Sequence, residues 1–175
     1  DKKISANVRW LRYIYFTSVI RKENIISNGN QTILDIGSYY GGFQHVMKKT
    51  FPNSKHICVD FPHQLSRSAI FLSKSFPKAK IHGIYDQETF NNYFNFNYIN
   101  YDFILLSIEY FNDFSERYSS LNYKLDLLTN FYSFGEMTKN DFNLYLNSKI
   151  LKNSKKLYFC NRYDSSPFFE PTYSE

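Results

Sequence analysis

The stretch TILDIGSYYGGFQHVMKKTFP, residues 32–52, predicts a strand, a loop and a helix in direct succession. Its first five residues form a short apolar run, residues 37–42 contain three glycines, and residues 43–51 have helical spacing before a proline. A glycine-containing turn between a strand and a helix is typical of sites where polar ligand groups meet a helix N-terminus. Tyr39, however, occupies the position of the second glycine in a dinucleotide-binding fingerprint. An ordinary tight turn is therefore the alternative.

The same alternation of strand and helix continues along the chain. Further apolar runs predict strands at residues 55–60, 80–83, 101–107 and 156–160. Helical spacing predicts helices at residues 8–20, 64–76 and 140–151, with a helix and connecting loop at 87–100. We expect the first helix to pack on the edge of the sheet. This order favours an α/β fold, Rossmann-like, with a mostly parallel sheet and helices on both faces.

The composition predicts a single globular domain over residues 1–175, with residues 1–30 as an N-terminal helical segment. Hydrophobic residues make up 43% of the chain, which is enough for a sizeable core. The net charge of +5 is spread along the chain, whereas a nucleic-acid surface needs concentrated positive charge, so we predict no nucleic-acid partner. Because residue 1 is Asp and not Met, we expect the sequence to be part of a longer chain.

The cysteines and histidines favour a reducing compartment and no zinc site. Cys58 and Cys160 both lie in apolar runs, where buried free thiols are expected, and this favours a cytoplasmic location. Neither a CxxC nor an HExxH spacing occurs, and the four histidines are dispersed, so we predict no protein-bound metal site. No apolar run is long enough to span a bilayer.

Candidate binding residues follow the predicted strands, because ligands of open parallel sheets bind beyond the carboxyl ends of the strands. An acid about twenty residues after a glycine loop is the residue type that binds ribose hydroxyls, and Asp60 ends the second strand. Asp60 as a cap of the next helix, and glycines that only permit a turn, remain alternatives. The candidate cofactor-binding residues are Asp35, Gly37, Ser38, Tyr39, Gly41, Asp60, Phe61 and Ser107.

Five short motifs resemble the sugar O-methyltransferase family of class I S-adenosylmethionine-dependent methyltransferases. They are ILDIG at 33–37, YGGF at 40–43, VDFP at 59–62, SFGEM at 133–137 and NR at 161–162. The similarity covers residues 33–162. The sequence departs from the family at Tyr39, where the family has a glycine that lets the backbone approach the cofactor closely.

The resemblance implies an enzyme that transfers a methyl group from S-adenosylmethionine to a sugar hydroxyl, on a glycan or a nucleotide-sugar. It implies Glu109, Glu136 and Arg162 as catalytic candidates. Either glutamate could be the base, orient the hydroxyl or bind a divalent cation, and Arg162 could pair with a glutamate or with an acidic substrate group. The structural alternatives are a solvated loop carboxylate for Glu109, a helix-flanking charge for Glu136 and a surface ion pair for Arg162.

Two other functions stay open from the sequence. A nucleotide-cofactor oxidoreductase is compatible with the predicted sheet, although the GxGxxG fingerprint is incomplete. A catalytically silent, methyltransferase-like binding subunit is compatible with Tyr39 in the cofactor loop.

Overall fold

A computed structural model of the chain describes residues 7–95, 100–121, 123 and 125–162. The strands are β1 (Thr32–Ile36), β2 (Lys55–Asp60), β3 (Ile81–Ile84), β4 (Phe103–Ser107), β5 (Leu127–Phe131) and β6 (Leu157–Cys160). The helices are α1 (Val8–Lys22), α2 (Gly42–Thr50), α3 (Pro62–Ser75), α4 (Gln87–Asn95), α5 (Phe111–Ser120), α6 (Lys139–Asn147) and α7 (Lys149–Lys152). Two 3₁₀ turns, Ile108–Tyr110 and Ser133–Glu136, follow β4 and β5.

The six strands form one sheet in the order β3-β4-β2-β1-β5-β6, and every recorded strand pair is parallel. The usual doubly wound order is 3-2-1-4-5-6. Here β4 lies between β3 and β2. Strand β1 is therefore flanked by β2 and β5, whereas in the usual order it is flanked by β2 and β4. This difference decides which loops meet at the carboxyl edge of the sheet.

Helices cover both faces of the sheet, which confirms the predicted fold class. On one face Leu34, Ile36 and Val59 belong to a core with residues of α4, α5, α6 and α7. On the other face Ile33 packs with α1 and α2, and Cys58 packs with α3. The alternation of neighbouring residues between the two faces follows from the period of two in a strand. From β1 to β3 successive strands are added toward one edge of the sheet, and from β3 to β6 they are added toward the other edge. Because crossovers between parallel strands are right-handed, the helices change face after β3.

The predicted strands coincide with β1 and β2, and most other predicted strands and helices occur in the structure with ends shifted by one or two residues. The predicted helix over residues 140–151 is two helices, because Ser148 has an extended ψ of 145° and its side chain accepts from the N–H of Leu151 at the start of α7. Strand β5 and helix α5 were not predicted. Residues 96–99 of the predicted loop after α4 lie outside the described residues.

The predicted position of α1 at the sheet edge is wrong. Phe16 and Ile20 of α1 are buried against Ile33 of β1 and Leu127 of β5, which are central strands. The Phe16 ring stacks on the Phe131 ring with centroids 4.1 Å apart. Helix α1 therefore lies over the middle of the sheet, where it can border a site at the strand ends.

Both cysteines are free thiols, and Cys58 is buried as predicted, whereas Cys160, which was also predicted to be buried, is only partly buried. Of the helices in the described part of the chain, none combines the length and hydrophobicity needed to cross a membrane.

Candidate active site

A cavity of about 630 Å³ lies at the carboxyl ends of β1, β2 and β5 and is bordered by α1. This volume is within the range of roughly 300–1,000 Å³ typical of small-molecule sites. The helices that follow β1 and β5 pack on opposite faces of the sheet, and ligands of open α/β sheets bind in the crevice that such a divergence opens. The polar side chains that line it are Arg9, Arg12, Tyr13, Asp35, Ser38, Tyr39, Asp60, His63, Gln64, Tyr132, Ser133, Glu136, Thr138, Asp141, Tyr145 and Arg162.

The carboxylate of Asp60 fixes the loop after β1. Its Oδ2 accepts a hydrogen bond of 2.7 Å from the N–H of Tyr39, and its Oδ1 accepts one of 2.8 Å from the N–H of Phe61. Phe61 is itself the N-cap residue of α3 and has no side-chain cap, so Asp60 does not cap that helix. Burial raises the pKa of Asp60, and the two backbone N–H groups oppose the rise. Each carboxylate oxygen retains a further lone pair for a ligand hydroxyl.

Gly37 allows the loop after β1 to turn against the β5 side of the site. Its φ is 75°, and a Cβ atom there would lie 2.1 Å from Oγ of Ser133. The N–H of Gly37 donates to the carbonyl of Val59 at 2.8 Å, and that of Ser38 donates to the same oxygen at 3.2 Å. Both the left-handed backbone and the space at this position require glycine.

Tyr39 has a φ of 52°, a conformation that glycine adopts without strain. Its N–H is held by Asp60, and its carbonyl accepts a hydrogen bond of 2.6 Å from Oγ of Ser68. The half-buried ring lines the cavity and lies under the guanidinium of Arg9, 4.6 Å from ring centroid to guanidinium carbon. The tyrosine therefore occupies a glycine-like backbone position and forms part of the cavity wall.

The structure brings six of the eight cofactor-binding candidates together on the cavity. They are Asp35, Gly37, Ser38, Tyr39, Asp60 and Phe61. Gly41 is instead the N-cap residue of α2, with a φ of 87°, and faces the side chain of Leu72. Ser107 is fully buried, and its Oγ has no hydrogen-bond partner among the described residues, but it does not line the cavity.

Of the three catalytic candidates, Glu136 and Arg162 line the cavity, and Glu109 does not. Glu109 follows β4, which β2 separates from β1, and its side chain is exposed. Oε1 of Glu136 lies 3.7 Å from Nη2 of Arg162, and both side chains are partly exposed. This loose pair leaves both groups available to a ligand. Within the described ranges, no three His, Cys, Asp or Glu side chains are grouped as a metal site.

Asp35 is a buried carboxyl group at the bottom of the site. Its Oδ1 accepts a hydrogen bond from Oγ1 of Thr129 and its Oδ2 one from Nε2 of Gln44, both of 2.6 Å. Burial raises the pKa of Asp35 to about 7, against the lowering effect of these two hydrogen bonds. The group is therefore part protonated and part ionised near neutral pH.

We expect Asp35 to make the protein less stable as the pH rises from about 4 to about 7. In that window the folded state keeps the proton and the unfolded state loses it, so the free energy of unfolding falls by up to about 4 kcal/mol. Asp35→Asn should remove this slope, because an amide does not titrate. The amide can still accept from Thr129 and can donate to Oε1 of Gln44, which has no partner among the described residues. Urea unfolding of both proteins at pH 4.5, 6 and 8 measures the effect. Equal slopes would contradict it.

Strand β5 supplies polar side chains that the sequence did not reveal. Nδ2 of Asn130 donates to the carbonyl of Ile36 at 2.8 Å and to Oγ of Ser133, while its Oδ1 accepts from the N–H of Phe134 at 3.2 Å. Oγ of Ser133 also donates to the carbonyl of Ile36 at 3.0 Å. These bonds hold the SFGEM turn against the end of β1. The apolar run directly before SFGEM was the available indication of this strand.

Arginine and tyrosine side chains of α1 were likewise not predicted at the site. Arg9, Arg12, Tyr13 and Phe16 all line the cavity. Their spacing of three and four residues places them on one face of the helix. The sequence pattern indicated a packing helix, but not the strands over which it would lie.

Comparison with known proteins supports the architecture. No protein-family model matches the chain, and no curated protein matches it significantly. The solved structure of PKMT2 from Rickettsia typhi is similar over 81% of this chain, with 15% identity and a TM-score of 0.52. Coclaurine N-methyltransferase bound to N-methylheliamine and SAH is similar over 91% of this chain, with 16% identity and a TM-score of 0.53. The chain spans 23% and 37% of the lengths of these two proteins.

The likeness extends over most of the chain. At this level of identity it establishes architecture and not chemistry. The chain therefore shares the Rossmann-like α/β fold of these two solved structures.

Proposed function

We propose that the protein is an S-adenosylmethionine-dependent methyltransferase that methylates a sugar hydroxyl. The observation that carries the proposal is Asp60, whose carboxylate ends β2, holds the loop after β1 and faces the cavity. A carboxylate in this place can accept hydrogen bonds from both hydroxyls of a ribose. The fold of the two solved methyltransferases supports the same reaction class.

The residues present fit the chemical groups of S-adenosylmethionine. Asp60 suits the ribose hydroxyls, and the Asp35 carboxylate suits a cationic centre. The rings of Phe61 and His63 lie 5.8 Å apart at an interplanar angle of 15° beside Asp60, where a purine can stack. Arg9 suits the carboxylate of the cofactor because guanidinium groups bind carboxylates in a bidentate manner. When bound, the cofactor supplies an activated methyl group on a sulfonium.

The chain's own contribution to catalysis is the orientation and deprotonation of the acceptor. We assign Glu136 as the group that accepts the hydroxyl proton, since it lines the cavity beside Arg162. Tyr132 and Phe131 also line the cavity, and aromatic rings there can stack on a sugar face and exclude water. Glu109 and Ser107 have no part in this proposal because they lie outside the cavity lining.

Tyr39 favours a second candidate function, a silent binding subunit. Its ring fills part of the wall at a backbone position with a φ of 52°, where the resembling family has glycine. A tyrosine that displaced the cofactor would leave the fold intact and remove activity. The binding of the cofactor itself separates the two candidates.

We expect wild-type protein to bind S-adenosylmethionine and SAH in calorimetric titrations and not NAD, and Tyr39→Gly to bind at least as tightly. The free energy of unfolding should change by less than about 1 kcal/mol in Tyr39→Gly. Glycine adopts a positive φ without strain, and this gain offsets the greater backbone entropy that glycine loses on folding. Asn24→Gly is the matched control, because Asn24 has a φ of 50° and does not line the cavity.

Each outcome of these titrations decides between the candidates. Binding by Tyr39→Gly alone would mark a silent subunit. Binding of NAD alone would favour an oxidoreductase, and the absence of all binding would end the methyltransferase proposal. In binding-competent protein, transfer of labelled methyl groups to a panel of sugars should be lost in Glu136→Gln without loss of SAH affinity.

A further inference from the structure

The guanidinium groups of two arginines of α1 lie over the rings of two tyrosines at the cavity. The guanidinium carbon of Arg9 is 4.6 Å from the ring centroid of Tyr39, and that of Arg12 is 4.9 Å from the ring centroid of Tyr132. Both tyrosines have a positive φ, 52° and 73°, in the turns after β1 and β5. All four side chains line the same cavity. The two strained turns thus each present an aromatic ring to one arginine of the same helix face.

Arg12 has an unused hydrogen-bonding edge. Among the described residues it forms no ion pair and no side-chain hydrogen bond, whereas Arg162 lies beside Glu136. A guanidinium group that lies over an aromatic ring keeps N–H donors for other partners. Arg12 is exposed and can therefore still bind a carboxylate or phosphate in a bidentate manner.

Three of the four acidic side chains of the cavity accept hydrogen bonds from other groups. Asp60 accepts two backbone N–H groups, and Asp35 accepts from Thr129 and Gln44. Asp141 accepts a hydrogen bond of 2.8 Å from Oγ1 of Thr138 at the start of α6. The fourth, Glu136, lies 3.7 Å from Arg162, so none of the four carboxylates forms an ion pair with Arg12 in the described structure, and an anionic ligand would fill that role.

The strand order places Arg12 on the acceptor side of the site. Asp60 ends β2, while Tyr132 and Arg162 follow β5 and β6. From β2 to β5 is two strand spacings, roughly 10 Å at about 4.8 Å each. S-adenosylmethionine has a single carboxylate, for which Arg9 beside the loop after β1 suffices. Arg12, on Tyr132, is then available to the second substrate.

We infer that the acceptor is an anionic sugar, carrying a phosphate or a carboxylate, and that Arg12 binds its negative group. The inference rests on the proposed function and narrows its substrate class. Neutral glycans lack the group that would use this arginine. Loss of a charge-assisted hydrogen bond is worth about 10- to 100-fold in affinity, which sets the size of the expected preference.

The test titrates SAH-saturated protein with glucose, glucose 6-phosphate and glucuronate. We expect one or both charged sugars to bind wild-type protein about tenfold or more tightly than glucose, and the two charged probes separate phosphate from carboxylate. Arg12→Gln should remove the preference while it keeps SAH affinity. Arg21→Gln, on the same helix and outside the cavity lining, should keep both.

The outcomes separate this inference from the function on which it rests. If the wild-type protein binds SAH, three results overturn the inference alone. These are equal affinity for charged and neutral sugars, no binding of either charged sugar, and a preference for charged sugars that survives Arg12→Gln. Absence of SAH binding in the wild-type protein overturns the proposed function and this inference with it.

Discussion

Asp60→Ala is expected to abolish measurable S-adenosylmethionine binding and to weaken the loop after β1. The substitution removes the acceptor for the N–H groups of Tyr39 and Phe61 as well as the group proposed to bind the ribose. Lost charge-assisted hydrogen bonds to the ligand cost on the order of 1.5–3 kcal/mol, and the released loop adds to this loss. Calorimetric titration of the variant, with its fold checked by circular dichroism, measures the effect.

Asp86→Ala is the matched control for this prediction. Asp86 follows β3 at the same edge of the sheet, and its Oδ1 accepts from the N–H and the Oγ1 of Thr89, both at 2.7 Å. It does not line the cavity. Its loss should affect local stability and leave cofactor affinity unchanged. Unaltered cofactor affinity in Asp60→Ala would show that Asp60 only supports the loop.

Gly37→Val is expected to destabilise the fold severely, by more than about 3 kcal/mol. A Cβ atom at this position would lie 2.1 Å from Oγ of Ser133, and the φ of 75° is strained for any residue with a side chain. Overpacking costs roughly 1–3 kcal/mol, and left-handed backbone adds about 1–2 kcal/mol, more for a β-branched residue. Thermal and urea unfolding measure this loss.

A second substitution tests the contact itself. Ser133→Gly in the Gly37→Val background should restore part of the lost stability, because it removes the atoms that the new side chain meets. Gly29→Val is the control, since its Cβ would have ordinary contact, 3.5 Å from Oγ of Ser27, at a turn of unstrained φ. Gly37→Val protein that is as stable as wild type but binds no cofactor would instead place this side chain against the ligand.

The interior of the sheet was predictable from local patterns. The predicted strands at residues 32–36 and 55–60 coincide with β1 and β2, because continuous apolar runs bounded by turn residues are typical of strands buried on both faces. Strand β5 was overlooked, although LLTNF is also an apolar run. The residues 140–151 were predicted as one helix, because Ser148 is a local interruption that periodicity does not detect.

The site was predictable in part, on the side where one short segment builds it. Asp35 lies near the end of β1 and Gly37, Ser38 and Tyr39 follow that strand directly, so their convergence on the cavity needed only the strand and the turn. Asp60 joined them because β1 and β2 are neighbours in the sheet. Its hydrogen bond with the N–H of Tyr39 was not predicted, because it depends on the register of that strand pair.

Sequence by itself determined the α/β class, the glycine-containing loop and the acid that follows β2, because each depends on local backbone preference and on the burial period of one segment. Only the tertiary structure decided that β5 lies beside β1, that Glu109 stays outside the cavity and that Arg12 lines it. Strand order reflects the packing of segments far apart in the chain, such as Asp35 with Thr129, 94 residues away. Such pairings carry no local pattern, since their free energy arises only when the two surfaces meet.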